Sequence, residues 1–218
     1  MTAPGPVRVK ICGVTRLTDA VAAARLGASA IGFNFWPGSK RCITPAAAAP
    51  MVAALPPDLL AVGVFVNPTR EELLAAIRVA GLRAVQLHGD EPPALCMELP
   101  VPVIKAVRVK DPASLAGMAA YHVAAYLLDA PGPGYGGSGH TFDWGLAALA
   151  ARELPVWLAG GLTAENVGAA IQRVRPMGVD VASGVESAPG IKDEARMEAF
   201  IQAVKAAPRG APIGKGHK

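Results

Sequence analysis

The chain has 218 residues, 52% hydrophobic and 17% charged, a composition far from the low-hydrophobicity, high-charge signature of a disordered protein. The formal charge is +4, but Lys205, Arg209, Lys215 and Lys218 crowd the Gly/Pro/Lys-rich end, so the surplus describes a frayed terminus and not a nucleic-acid-binding arm. Three cysteines at irregular spacing, with neither a CxxC pair nor a His at ligand distance, argue against disulfides and structural zinc.

The first ten residues, MTAPGPVRVK, lack the apolar stretch and cleavage site of a secretory signal, so a cytoplasmic location is expected. No membrane association is expected either. The most apolar region, residues 46–66, is broken by Pro50, Pro56, Pro57 and Asp58 before it reaches spanning length.

Along the chain, short β-rich runs alternate with Ala- and Leu-rich helical stretches, the pattern of βα units on a parallel sheet. The first run, VRVKI, ends near Cys12, and the helical stretch after it stops at Gly27. AIGFNF ends near Phe35, and Thr44-Pro45 then supplies an N-cap with proline at the first helical position. LAVGVFV ends near Val66 and is followed by Thr69 and Glu72 at capping-box spacing, with Gly81 as the stop. AVQLH ends near His88, PVIKAV near Val107, AYLLD near Asp129, VWLAG near Gly160 and VDVAS near Ser183. Eight strands predict a closed (β/α)₈ TIM barrel in a single domain over residues 1–207, with 208–218 as a flexible tail. The one long Gly/Pro-rich segment, PGPGYGGSGHTFDW, follows the sixth strand and matches an active-site lid around residues 136–139.

A barrel of this kind works at the C-terminal ends of its strands, so the residues ending the runs are the candidates. They include Cys12, His88 and Asp129, with Gly160-Gly161 after strand seven and Ser183-Gly184 after strand eight. Glycine in those last two loops lets backbone N–H groups approach an anion, which predicts a phosphorylated small-molecule ligand. Cys12 should stand at the barrel mouth. Lys10 shares its face of the strand, and Asp180 lies on the neighbouring strand eight, so the two are expected to form a buried ion pair below the thiol.

Lys10-Ile11-Cys12-Gly13, GFNFWPGSKR, QLHGDE, LLDA, GGSGHTFDW, LAGGLTAENV and VDVASGVE occur in the order found in phosphoribosylanthranilate isomerases, and the chain resembles that family from residue 10 to about residue 195. The WPG before Ser39-Lys40-Arg41 is the main local departure. The resemblance implies an Amadori rearrangement in tryptophan biosynthesis, with Asp129 as acid and Cys12 as base, and neither a metal nor an organic cofactor. Such roles suit an Asp129 with a raised pKa and a Cys12 whose pKa nearby cations lower. Arg41 is implied as the partner of the substrate's carboxylate, whereas His88 is either a substrate contact or a structural histidine. The assembly is expected to be a monomer or a homodimer. Rival readings are another phosphosugar isomerase or epimerase barrel, or a non-catalytic barrel that binds a phosphorylated ligand. The two-substrate isomerase of the histidine and tryptophan routes uses a carboxylate where this chain has Cys12, and an epimerase's metal-binding His and Asp set is not recognisable.

Overall fold

The computed structural model describes residues 5–130 and 143–208. The expected lid around residues 136–139 and residues 209–218 of the expected tail lie outside the described residues.

All eight expected strands form: β1 (Arg8–Cys12), β2 (Ala30–Asn34), β3 (Leu60–Phe65), β4 (Ala84–Leu87), β5 (Val103–Arg108), β6 (Ala125–Asp129), β7 (Val156–Leu158) and β8 (Gly178–Val181). They pair in parallel in chain order, and β1 pairs with β8 to close the barrel. β7 stops at Leu158, short of the expected Gly160, because Gly160 takes a φ of 86° that extended pairing does not allow. β8 stops at Val181 because Ser183–Val185 turns into a single 3-10 turn.

Side chains alternate along each strand, which divides the apolar residues into two sets. Val9, Ile11, Ile31, Phe33, Val85 and Leu87 join the large core beneath the helices, whereas Ala30, Val62, Ala84, Leu127 and Trp157 fill the barrel interior. Towards the C-terminal ends the inward positions turn polar, with Cys12 on β1, Asn34 on β2, Gln86 on β4, Asp129 on β6 and Asp180 on β8 all facing one cavity. The fold thus places an apolar plug low in the barrel and its chemistry above it.

The helices are α1 (Leu17–Leu26), α2 (Pro45–Ala53), α3 (Arg70–Ala80), α4 (Ala113–Ala116), α5 (Trp144–Ala150), α6 (Val167–Val174) and α7 (Glu194–Ala206). The expected caps form as read: the Thr44 hydroxyl accepts from the Ala47 N–H, Thr69 and Glu72 make a reciprocal capping box, and Gly27 and Gly81 end their helices in the left-handed conformation. The alternation fails after β4. There Pro92-Pro93 and Pro100 leave too few residues between them for a helix, and only the 3-10 turn Pro93–Cys96 forms. A short antiparallel hairpin, β9 (Glu186–Ala188) and β10 (Ile191–Lys192), was not anticipated and sits between β8 and α7. Among the described residues no helix is long and apolar enough to cross a membrane.

The expected ion pair is present on the β1/β8 seam. Lys10 and Asp180 are register partners, and Lys10 Nζ donates to Asp180 Oδ1 at 2.7 Å. Burial alone would lower the Lys10 pKa, but Asp180 and Cys12 overcome it and hold the ammonium above its usual value. A buried pair of this kind contributes little net against an apolar substitute, yet removing one partner strands the other. Lys10→Met should therefore lower the unfolding free energy by about 3–5 kcal/mol, measured by urea denaturation. A loss below about 1 kcal/mol would show that Asp180 is accommodated without the lysine.

Candidate active site

At the C-terminal mouth lies a cavity of about 430 Å³, within the range of small-molecule sites. Cys12, Arg41, His88, Asp129, Gly160, Gly161 and Ser183 line it together. Gly184, next to Ser183 in the same loop, is not among the lining residues. A Cβ there would collide with the Leu162 carbonyl oxygen, so glycine is required by packing of the β8 loop on the β7 loop. Bulk at Gly184 would rebuild the loop before it reported on any anion.

Cys12 ends β1, partly buried above the Lys10–Asp180 pair. The expectation that cations lower its pKa is not met. Burial and then Asp180 push the thiol upward, outweighing the opposing pull of Lys10 and Lys192. The sequence showed Lys10 as the nearby cation; Asp180, which neutralises it, also opposes its effect on the sulfur.

Asp129 ends β6 and is buried. Its Oδ1 accepts from the Ala130 N–H at 2.8 Å, and its Oδ2 stands 3.4 Å from His88 Nε2. Gln86, two residues before His88 and on the same face, donates from Nε2 to His88 Nδ1 at 2.9 Å. In that arrangement Nδ1 is the acceptor and the imidazole proton sits on Nε2, facing Asp129. The loop carrying His88 is anchored from behind. Lys105 Nζ donates to the Leu87 and Gly89 carbonyls and to Glu91, whose carboxylate also accepts from the Asn67 and Gly89 N–H groups.

Arg41 lies in the loop after β2, with its guanidinium partly committed. Nε and Nη2 donate to the two carboxylate oxygens of Glu186 at 2.8 and 2.7 Å. Glu186 begins β9 and is buried; burial opposes its ionisation, but Arg41 and Lys192 hold its carboxyl below the ordinary range. Lys192 Nζ donates to Glu186 Oε1 at 2.8 Å and to the Cys12 and Ala182 carbonyls, and burial lowers its pKa.

Gln86, Glu186 and Lys192 were not singled out from the sequence. Gln86 could have been, since it is two residues from His88 on a strand. Glu186 and Lys192 could not: they are 145 and 180 residues from the groups they touch, Arg41 and Cys12. Among the described residues no group of three or more His, Cys, Asp or Glu side chains is arranged to hold a metal ion.

Fold and cavity together set the chain among the (β/α)₈-barrel enzymes, whose active sites are built at the C-terminal ends of the strands. The family model for N-(5'-phosphoribosyl)anthranilate (PRA) isomerase matches residues 9–203. An N-(5'-phosphoribosyl)anthranilate isomerase from Myxococcus xanthus is 52% identical over 204 residues, covering 91% of this chain and 96% of that protein. The phosphoribosyl anthranilate isomerase of Thermotoga maritima superposes with a TM-score of 0.87 at 46% identity, covering 91% of this chain and 98% of that one. A phosphoribosyl anthranilate isomerase in complex with reduced 1-(o-carboxyphenylamino)-1-deoxyribulose 5-phosphate gives 0.83 at 42% identity, with the same coverage. The chain belongs to the N-(5'-phosphoribosyl)anthranilate isomerase family.

The raised thiol has a direct consequence in solution. The rate of Cys12 alkylation by iodoacetamide, followed by peptide mass spectrometry across pH, should reach half its maximum above the ordinary thiol value of about 8.5. A midpoint at or below about pH 7.5 would mean that the cations win after all.

Proposed function

We propose that the chain converts N-(5'-phosphoribosyl)anthranilate to 1-(2-carboxyphenylamino)-1-deoxyribulose 5-phosphate, with Asp129 as general acid and Cys12 as general base. The observation that carries this reading is that the two groups, ending β6 and β1, open into one cavity. In the first step the Asp129 carboxylic acid protonates the furanose ring oxygen. The C1'–O bond breaks as the anilino nitrogen's lone pair moves in, leaving an open-chain iminium and the Asp129 carboxylate. The Cys12 thiolate then takes the C2' proton, and the C2'–H electron pair neutralises the iminium to give an enolamine. Tautomerisation moves a proton to C1' and leaves a ketone at C2', so the overall change is an isomerisation without gain or loss of atoms.

The iminium answers the difficulty posed by a thiol of raised pKa. A positive charge on the substrate next to the sulfur favours the thiolate at the step that needs it, adding to Lys10 and Lys192. His88 fits a role beside the acid, since its Nε2 proton faces the oxygen of Asp129 that is not tied to the main chain. The phosphate is assigned to the loops after β7 and β8, where Gly160, Gly161 and Ser183 line the cavity at the position barrels commonly use for this group. The substrate's carboxylate is assigned to Arg41, whose Nη1 has no partner among the described residues.

Turnover should be seen with substrate generated in place from anthranilate and phosphoribosyl pyrophosphate, and with substrate made beforehand and freed of metal, chelation by EDTA should leave it unchanged. Cys12→Ser and Asp129→Asn should each lower kcat by at least about a hundredfold, the low end of an acid–base contribution. Near wild-type turnover in Cys12→Ser would assign the base to another residue, and an EDTA-dependent loss restored by a divalent ion would replace the mechanism altogether.

A further inference from the structure

Buried ionic groups need a reason, and the cluster around Glu186, which borders the substrate cavity through Arg41, is one that acid–base chemistry leaves unused. Its carboxylate accepts four hydrogen bonds: two from Arg41, one from Lys192 Nζ and one from the Gly190 N–H at 3.2 Å. The hairpin that carries it is bolted down on its other sides. Thr15 donates to the Gly190 carbonyl at 2.6 Å, Asp19 accepts from the Lys192 N–H at 3.0 Å, and Arg196 donates to the Glu186 carbonyl. Glu186 is thus a fixed point against which an otherwise adjustable side chain is braced.

Arg41 is also shaped from beneath. Gly13, at a φ of 71°, lies directly under its aliphatic stem, and a Cβ on Gly13 would collide with Arg41 Cδ and stand 3.2 Å from its Cβ and Cγ. Stem and guanidinium are therefore both located, and the side chain still lines the substrate cavity. Holding an arginine in one rotamer before a ligand arrives removes the cost of ordering it from the binding step.

We infer that Glu186 is a positioning residue for carboxylate recognition: it grips the Nε–Nη2 edge of Arg41 and thereby aims the rest of the guanidinium at the substrate's aromatic carboxylate. The inference rests on the Arg41 assignment made above. Lys192 completes the device, because it offsets the negative charge of Glu186 and leaves the charge of Arg41 for an anionic ligand. Arg41, Glu186 and Lys192 together carry one net positive charge. A purely structural role would be to fasten the loops after β1, β2 and β8, and the two roles differ in what they do to ligand discrimination.

The test compares two competitive inhibitors: reduced 1-(2-carboxyphenylamino)-1-deoxyribulose 5-phosphate and its phenylamino counterpart without the carboxylate. Their affinity ratio is measured on the wild-type protein and on Glu186→Gln, Glu186→Asp and Arg41→Met. The wild type should favour the carboxylated ligand strongly, and Arg41→Met should cut that preference at least about tenfold, as expected for a lost charge-assisted bidentate contact. Glu186→Gln should cut it at least about fivefold, while affinity for the ligand lacking the carboxylate stays near wild type. Glu186→Asp keeps the charge opposite Lys192 but is one methylene short of the two-point grip, so it should fall between, and it serves if the Gln variant does not fold. An unchanged ratio in the Glu186 variants, with both ligands weakened together, would make the residue structural and overturn the inference. So would a ratio that rises, since Glu186 would then be a competitor for Arg41. If Arg41→Met itself leaves the ratio unchanged, the Arg41 assignment fails and the inference fails with it; a loss in Arg41→Met alone sinks only the role of Glu186.

Discussion

The site is organised around the seam where β8 closes on β1. Lys10 and Asp180 meet there at 2.7 Å inside the barrel, directly under the thiol at the end of the same strand. An ammonium could not lie so deep alone, and a carboxylate could not lie there without a cation. The pair therefore ties barrel closure to the electrostatics of Cys12. Burial raises the thiol's pKa, and Asp180 adds to that rise against the opposing pull of Lys10. As the proposed base, Cys12 acts through its thiolate, the form that positive charge next to the sulfur favours. The proposed iminium supplies such charge at the step where the C2' proton leaves.

A second layer of charge lies above the first. Glu186 and Lys192, on a hairpin of only a few residues, join the loops after β1, β2 and β8 through side-chain bonds that no backbone ladder provides. On the opposite wall Gln86 and His88 form a line that ends on Asp129, and Lys105 with Glu91 anchors the loop that carries it. Asp129, Cys12 and Arg41, the proposed acid, base and carboxylate clamp, thus each have a supporting group behind them. Such support is what keeps reacting groups within the narrow geometry that catalysis requires.

Most of the architecture was legible in the sequence, for identifiable reasons. Strands buried on both faces read as apolar runs, and Thr44-Pro45, Thr69 with Glu72, Gly27 and Gly81 marked helix ends by chemistry that acts locally. The Lys10–Asp180 pair could be inferred because closure makes strands one and eight neighbours. Where the reading went astray, the cause was nonlocal or steric. Prolines at 92, 93 and 100 removed a helix that the βα rhythm implied. The partner of Arg41 lies 145 residues away, on a hairpin too short to show a period. The sign of the Cys12 shift depended on whether Lys10 or its counterion prevails, a balance that spacing does not contain.

The assignment of acid to Asp129 and base to Cys12 makes ring opening and C2' deprotonation separate steps governed by separate residues. Single-turnover rates with substrate deuterated at C2' test this most directly. Slowing deprotonation in Cys12→Ser should bring the primary isotope effect to its full value. Slowing ring opening in Asp129→Asn should suppress it towards unity, because the labelled bond is then intact in the limiting step. A suppressed effect in Cys12→Ser with a full one in Asp129→Asn would reverse the assignment and contradict the mechanism.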